Sequence, residues 1–535
     1  MSSVSANAKT GFRHTPFRTM RSLLFLAPAI LLTACDPPTA TISEKTPQPA
    51  AEPELAVTAG DTRPAPIDFK TTVVRVNVTQ QSWNPSQPWE KNSPSQRRAL
   101  GAIVSPGRVL TTAEMVADAT YLELESTDGT KFAQAKVVAV DYEVNLALLG
   151  AESEEEGKVL FEGTNALEIS APPSIGQAVE IFQVEDSGVP LLTAGLLQSI
   201  DVTSHFLPNQ AFLTYMVKAS MQSAASSYSL PVLQDGKLVG ILISYDAEDQ
   251  ISDVSSTDII SRFLSQATNG GYHGFPSLGV SVARTEDASL RAWLKIPESE
   301  GGIYVNNVRK KGSAQAAGVQ KGDVILAVDG KKIDRRGYYE HPNYGNLSWG
   351  HLVRGEKAVG DTVTLSILRK GEPMEIKATL TREDESSKLV PGYEFGRPPN
   401  YLVKGGFVFQ ELSRNLLEAF GEEWTSRAPL NLLDAYENPE KYEEKADRVV
   451  FLSGSIPTPA TIGYERLRNL IVRKVNGKEI RNMKSLIDAF GSNLNELHSI
   501  EFAEEDFTVY LDDNISTVVD SQLLKRGITR LSRAE

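Results

Sequence analysis

A single cysteine, Cys35, excludes any disulfide within this chain of 535 residues. Histidine is almost as sparse. The six are His14, His205, His273, His341, His351 and His498, and no His/Cys cluster among them has ligand spacing, so the sequence points to no metal and no other cofactor. Positive charge is also short: 54 Lys and Arg face 68 Asp and Glu, a net charge of −14. That balance argues against general nucleic-acid binding, which needs a basic face to meet the phosphates. The N-terminal apolar run "LLFLAPAILLTA", Leu23 to Ala34, is twelve residues long, too short to span a bilayer.

Apolar material is plentiful. Hydrophobic residues make up 41% of the chain, enough for several cores, and the length implies three or more domains. The N-terminal run follows Lys9, Arg13, Arg18 and Arg21, the pattern of a signal peptide. It ends in Leu32-Thr33-Ala34-Cys35, which resembles the bacterial lipobox. The resemblance implies cleavage of residues 1–34, lipidation of Cys35, and anchoring at the periplasmic side of a bacterial envelope membrane. Residues 35–67 carry much Pro, Ala, Thr and Glu without apolar periodicity and read as a flexible tether.

From 68 to 265 short apolar strands such as "TTVVRVNV", "YLELES" and "LPVLQDGKLVGILIS" alternate with Gly, Pro, Asn and Asp turns, the pattern of an all-β barrel or sandwich. "SQATNGGYHGFP" (265–276) reads as a Gly-rich joint, and the acidic run Glu152–Glu156 as a solvated loop. Beyond the joint a pattern recurs. "GVQKGDVILAVDGKKI" (318–333) and "RLRNLIVRKVNGKEI" (466–480) each run a β-segment into Asp-Gly or Asn-Gly, then Lys-x-Ile. Both predict a hairpin turn. Helices are expected near 350–355, at 482–492, and at 413–424 with Ser413 as N-cap.

Together these segments resemble the HtrA/Deg serine proteases, in particular the plant-type Deg branch. That resemblance implies a mainly β chain: a trypsin-like double β-barrel over 68–265, a first PDZ domain over 274–385 and a second, PDZ-like domain over 395–535. It is carried by "DRRGYYEHPNYGNLSWGHLVRG", "GGFVFQELSRNLLEAFGEEW" and "GYERLRNLIVRKVNG". The family's catalytic motifs map onto "LTTAEMV", "DYEVNLALL" and "SSYSLP", with Glu114 in the histidine place, Asn145 in the aspartate place and Tyr228 in the serine place. Ser226, Ser229 and Leu230 stand where the family has glycines around its oxyanion hole. A serine protease needs a hydroxyl beside a neutral base that a third group orients. On that ground the chain is expected not to be an enzyme, but a lipoprotein that serves as scaffold, chaperone or protease regulator. The alternative is an active serine-type endopeptidase with a rebuilt site, using Ser226, Ser227 or Ser229.

The resemblance further implies peptide binding. "FPSLGV" resembles the PDZ loop that captures a C-terminal carboxylate, which assigns Leu278, Gly279 and Val280; Gly405, Gly406 and Phe407 are the equivalents in the second domain. Expected partners are protein or peptide C-termini and, through the lipid, a membrane. Two aromatic inserts stand out: Trp83 and Trp89 in "SWNPSQPWEKNSP", and Tyr338, Tyr339, Tyr344 and Trp349 in the first PDZ domain. They either make contacts between chains, giving a trimer or larger homo-oligomer, or cover their own domain.

Overall fold

The computed structural model describes residues 69–185, 187–204, 206–221, 229–268, 271–492, 496–503 and 505–535. Cys35, the tether, His205, Ser226, Ser227 and Tyr228 lie outside them. Six strands, β1 (Val73–Gln80), β2 (Ser95–Ser105), β3 (Arg108–Thr111), β4 (Ala119–Glu125), β5 (Phe132–Asp141) and β6 (Leu146–Ala151), close into a barrel in the order β1-β2-β3-β6-β5-β4. Alternation in "VVRVNVTQ" sends Val74, Val76 and Val78 inward against Ala99, Ile103, Leu122 and Leu124. A short helix, α1 (Ala113–Val116), follows β3. After β6 comes α2 (Glu154–Phe161), so the acidic run is the start of a helix rather than a loop. Ser153 caps it by accepting from the Glu156 N–H, and three glutamates in the first turn suit the positive end of the helix dipole.

A second closed barrel has the order β10-β11-β12-β9-β8-β7, from β7 (Ala178–Val184), β8 (Pro190–Thr203), β9 (Phe212–Ala219), β10 (Pro231–Gln234), β11 (Lys237–Asp246) and β12 (Ile251–Ser255). The helix α3 (Thr257–Thr268) buries Ile259, Ile260 and Phe263 against it. The expected double barrel is therefore present.

The chain then enters an antiparallel sheet of β13 (Val280–Ala283), β14 (Ile303–Val308), β15 (Val324–Val328), β16 (Lys331–Lys332), β19 (Thr362–Arg369) and β20 (Glu372–Thr379), with β17 (Tyr338–His341) and β18 (Gly345–Ser348) as a separate hairpin. Three helices accompany it, α4 (Ala288–Leu294), α5 (Ser313–Ala317) and α6 (Gly350–Arg354). The last domain is a sheet of β21 (Tyr401–Lys404), β22 (Phe407–Glu411), β23 (Val450–Ser455), β24 (Leu470–Val475), β25 (Lys478–Glu479), β26 (Leu497–Phe502), β27 (Thr508–Asp512) and β28 (Ser532–Arg533). Its helices are α7 (Arg414–Glu418), α8 (Trp424–Arg427), α9 (Leu430–Glu437), α10 (Met483–Phe490) and α11 (Asp513–Lys525).

The repeated turns form as expected. Asp329-Gly330 (φ 48° and 78°) joins β15 to β16, and Asn476-Gly477 (φ 52° and 74°) joins β24 to β25. Both central residues have positive φ, as the favoured hairpin turn requires. The helix at 413–424 is shorter than expected. It stops at Glu418 and resumes at Trp424 after Gly421 (φ 104°), and Ser413 precedes it without a side-chain cap bond.

The described C-terminal part of the Gly-rich joint is packed. Phe275 is fully buried and meets Phe212 of β9 edge-on at 5.1 Å, and the Tyr272 hydroxyl donates to Asp141 at 2.7 Å. One core runs continuously from Leu197 and Tyr215 of the second barrel through Phe275 and Leu278 to Val305 and Leu365 of the next domain. The aromatic inserts meet other parts of their own chain. Trp89 lies 6.3 Å from Tyr401, and the Arg533 guanidinium sits 5.0 Å over Trp83, so the early loop covers the last domain of its own chain. Tyr339 is buried, and Tyr344 and Trp349 pack against the shared core.

Candidate functional site

The described residues of the three motif segments converge where the barrels meet. Glu114 is carried by α1 and Asn145 by the turn that enters β6, with φ 54°. The Glu114 backbone N–H donates to Asn145 Oδ1 at 2.9 Å, so the histidine and aspartate places are neighbours as the resemblance implied. The Glu114 carboxylate pairs with Arg97 at 3.2 Å, and Gln80 donates to its carbonyl at 2.8 Å. Asn145 Nδ2 and Thr112 Oγ1 are buried without a hydrogen-bond partner among the described residues.

Tyr228 lies outside the described residues, but the position after it does not. Ser229 is buried with φ 57°, the left-handed conformation that glycine adopts without strain. Its Oγ is 2.9 Å from Thr111 Oγ1 and accepts the Thr112 N–H at 2.8 Å, tying the end of β3 to the start of β10 across the barrel junction. The described histidines belong elsewhere: His273 to the joint, His341 and His351 to the first sheet domain, and His498 to the last, where it bonds Asn476 and Asp513.

No local pattern marks what surrounds the Asn145 turn. Tyr142 packs on Phe395 at 4.6 Å and Phe395 on Phe206 at 5.3 Å, and the Gly396 N–H donates to Asp118 at 2.7 Å. The linker between the two C-terminal domains therefore lies against the turns that follow Glu114 and precede Asn145. The buried carboxylates of the same turn face the first C-terminal domain. Asp141 receives Arg382 at 3.3 Å, and Glu143 receives Arg354 of α6 at 2.5 Å. Arg354 also donates to Gln210 and lies 4.5 Å over the Phe212 ring. These contacts join residues up to 278 positions apart, which no local pattern could announce.

Leu278, Gly279 and Val280 do come together. They line a groove of about 830 Å³ that is also lined by Val353 and Arg354 of α6, by the linker at Glu383 and Lys388, and by Trp424 and Tyr436 of the last domain. β13 is the last strand of its sheet, paired on one side only with β14, so its other edge can accept an added strand. Gly279 has φ 73°, and a Cβ there would stand 3.3 Å from the Gly312 backbone, so the loop needs glycine. Its N–H donates to Ser277 Oγ at 3.1 Å.

The equivalent in the last domain is closed. β22 is paired on both sides, with β21 and β23, and the Gly405 N–H is taken at 2.7 Å by Asp520 of α11. Lys404 adds ion pairs to Asp513 and Asp520. The Gly405 amide thus holds a carboxylate of its own chain.

Comparison with known proteins identifies the two C-terminal domains. Two family models, each described as a PDZ domain, match residues 276–380 and 390–530. The chain is 27% identical over 472 residues to the chloroplastic protease Do-like 2 of Arabidopsis thaliana, covering 86% of this chain and 73% of that one. It is 27% identical to the mitochondrial protease Do-like 4 of the same plant, covering 79% and 77%. A serine protease DegP homolog of Plasmodium falciparum is 23% identical, covering 78% of this chain and 58% of its own. Among solved structures, the HtrA-type protease AlgW with a decapeptide aligns with a TM-score of 0.44 at 19% identity, over 59% of this chain and 97% of that one.

These matches correct the expectation of a chain without enzymatic activity, because the relatives that span most of it are named proteases. That expectation counted absent residue types at Glu114, Asn145 and Tyr228, whereas a reaction depends on where acids, bases and hydroxyls stand in space.

Proposed function

We propose that this chain, an HtrA/Deg-family protein with a trypsin-like double barrel and two PDZ domains, takes polypeptide C-termini into its first PDZ domain and cleaves polypeptides as a serine-type endopeptidase with a rebuilt site. The observation that carries the first half is the free edge of β13 facing α6 beside the Gly279 loop. An extended peptide adds there as a strand, its backbone pairing with β13. The names of the relatives favour the second half. Glu114, ion-paired with Arg97, is the carboxylate in the family's histidine place, and Ser226, Ser227 and Ser229 are the hydroxyls nearest in sequence to the family's serine place.

One preparation tests both halves. Labelled C-terminal peptides are expected to bind the full chain, Gly279→Val to weaken them at least tenfold, and Asp520→Asn to leave them unchanged. Equal binding by Gly279→Val overturns the groove. Casein turnover with stoichiometric labelling by a serine-directed phosphonate supports hydrolysis. Absence of both overturns the endopeptidase half while leaving peptide capture to the binding assay.

The same chain is proposed to sit at the periplasmic side of a bacterial membrane, held by lipid on Cys35, on the strength of the Leu32-Thr33-Ala34-Cys35 motif closing the apolar run. Radiolabelled palmitate should enter the wild-type chain and not Cys35→Ser; incorporation into both would refute the anchor.

A further inference from the structure

The hairpin β17–β18 and the helix α6 bring together three groups that sequence spacing keeps apart. His341 ends β17, His351 opens α6, and Glu356 follows that helix with its N–H donating to the His351 carbonyl at 3.0 Å. One donor atom from each lies within 4.8 Å of the others. His351 is 6% exposed, and its Nδ1 is buried with no hydrogen-bond partner among the described residues. Such an orphaned nitrogen is costly unless something takes its lone pair or its proton. Its place is imposed by the backbone. A Cβ on Gly355 would lie 1.9 Å from that nitrogen, so only glycine leaves room for the ring. His341 stacks on Tyr344 at 4.6 Å and accepts the Asn343 N–H through Nδ1, which leaves Nε2 for a further partner.

We propose that His341, His351 and Glu356 form a binding site for a zinc-type divalent cation, which clasps the hairpin to the wall of the peptide groove. Two imidazoles and one carboxylate are a ligand set zinc accepts, with water in the fourth position. The mixed nitrogen and oxygen donors select against magnesium and calcium, which prefer oxygen alone. Tetrahedral bonds of about 2.0–2.2 Å would bring the donors somewhat closer than they stand now. In the cation-free arrangement Lys331 fills the electrostatic role. Its ammonium lies 2.8 and 3.0 Å from the two Glu356 oxygens, and Tyr339 donates to the same carboxylate at 3.3 Å. A bound cation displaces Lys331, and His341 ligates through Nε2 as the Nδ1–H tautomer, so its proton passes by way of solvent from Nε2 to Nδ1 and the hydrogen bond from the Asn343 N–H is given up.

This competition makes the test two-sided. The full chain, purified without a histidine tag and stripped with a chelator, is titrated with Zn²⁺ against a chromophoric competitor. One equivalent should bind. His341→Ala and His351→Gln should each weaken it roughly 10–100-fold. Lys331→Met should bind more tightly than the parent, and His273→Ala should match it. Because His351 is buried, the melting temperature of each variant is followed as well: Zn²⁺ should raise it for the parent and Lys331→Met but not for His341→Ala. Absence of a stoichiometric equivalent, a His341→Ala variant that binds like the parent, or a Lys331→Met variant no tighter than the parent would each overturn the site.

Discussion

Arg354→Ala is expected to destabilise the protein by about 3–5 kcal/mol at pH 7, the range for removing one partner of a buried ion pair. The side chains of Arg354 and Glu143 are 16% and 5% exposed, and their contact is 2.5 Å. Without the guanidinium, Glu143 would remain buried with only Arg382 and Lys388 as more distant positive neighbours. Burial already raises the Glu143 carboxyl above its ordinary value, and Arg354 is the largest influence pulling it back. The variant therefore raises it further. A carboxyl whose folded pKa exceeds its unfolded one binds more protons when folded, so it reduces stability as pH climbs from the ordinary glutamate range towards the folded value. Thermal melts should accordingly show a large loss at pH 7 that shrinks as pH falls to about 4.5, near the reference value of glutamate. A loss that is equal at both values would mean that Arg354 acts through its packing on Phe212 instead.

Phe275→Ala carries the next largest effect, about 3–5 kcal/mol for emptying a fully buried phenyl site. Phe275 comes from the joint but packs edge-on against Phe212 of the second barrel, inside one core that also holds Leu278, Val305 and Leu365. The loss should therefore appear in the unfolding of the barrel and of the first PDZ domain together. Calorimetry would show one transition moving to lower temperature. Two separate transitions, with only the PDZ domain affected, would refute the shared core.

Both effects concern residues whose neighbours were invisible in the sequence. The segment 265–276 reads as a joint because glycines cluster there, yet Tyr272 and Phe275 anchor it to Asp141 and Phe212. The strands were legible because alternation records which face is buried, as in β1. The turns Asp329-Gly330 and Asn476-Gly477 were legible because positive φ at both positions selects those residues. The run Glu152–Glu156 was misread because charge marks exposure, and an exposed helix start and a loop are equally charged.

The same division separates the two PDZ loops. Both contain the glycines that let amides turn inward, and sequence alone made them equivalents in kind. The free edge of β13 and the doubly paired β22, with Asp520 on the Gly405 amide, are properties of strand order and of a helix more than a hundred residues away. Likewise His341, His351 and Glu356 show no ligand spacing until a hairpin folds back on α6.

By itself, then, the sequence determined an all-β region over 68–265, two hairpin turns beyond it, and the identity of the side chains at Glu114, Asn145 and Tyr228, while the double barrel and the two PDZ domains came from its resemblance to a family. Tertiary structure alone decided which strand edge stays unpaired, that Tyr272 and Phe275 of the joint are packed, that Arg354 reaches the Asn145 turn, and that two histidines meet a glutamate. The reason is physical: backbone preference and burial pattern act over a few residues, while pairing of edges, charges and rings depends on which distant segments the fold brings within a few ångströms.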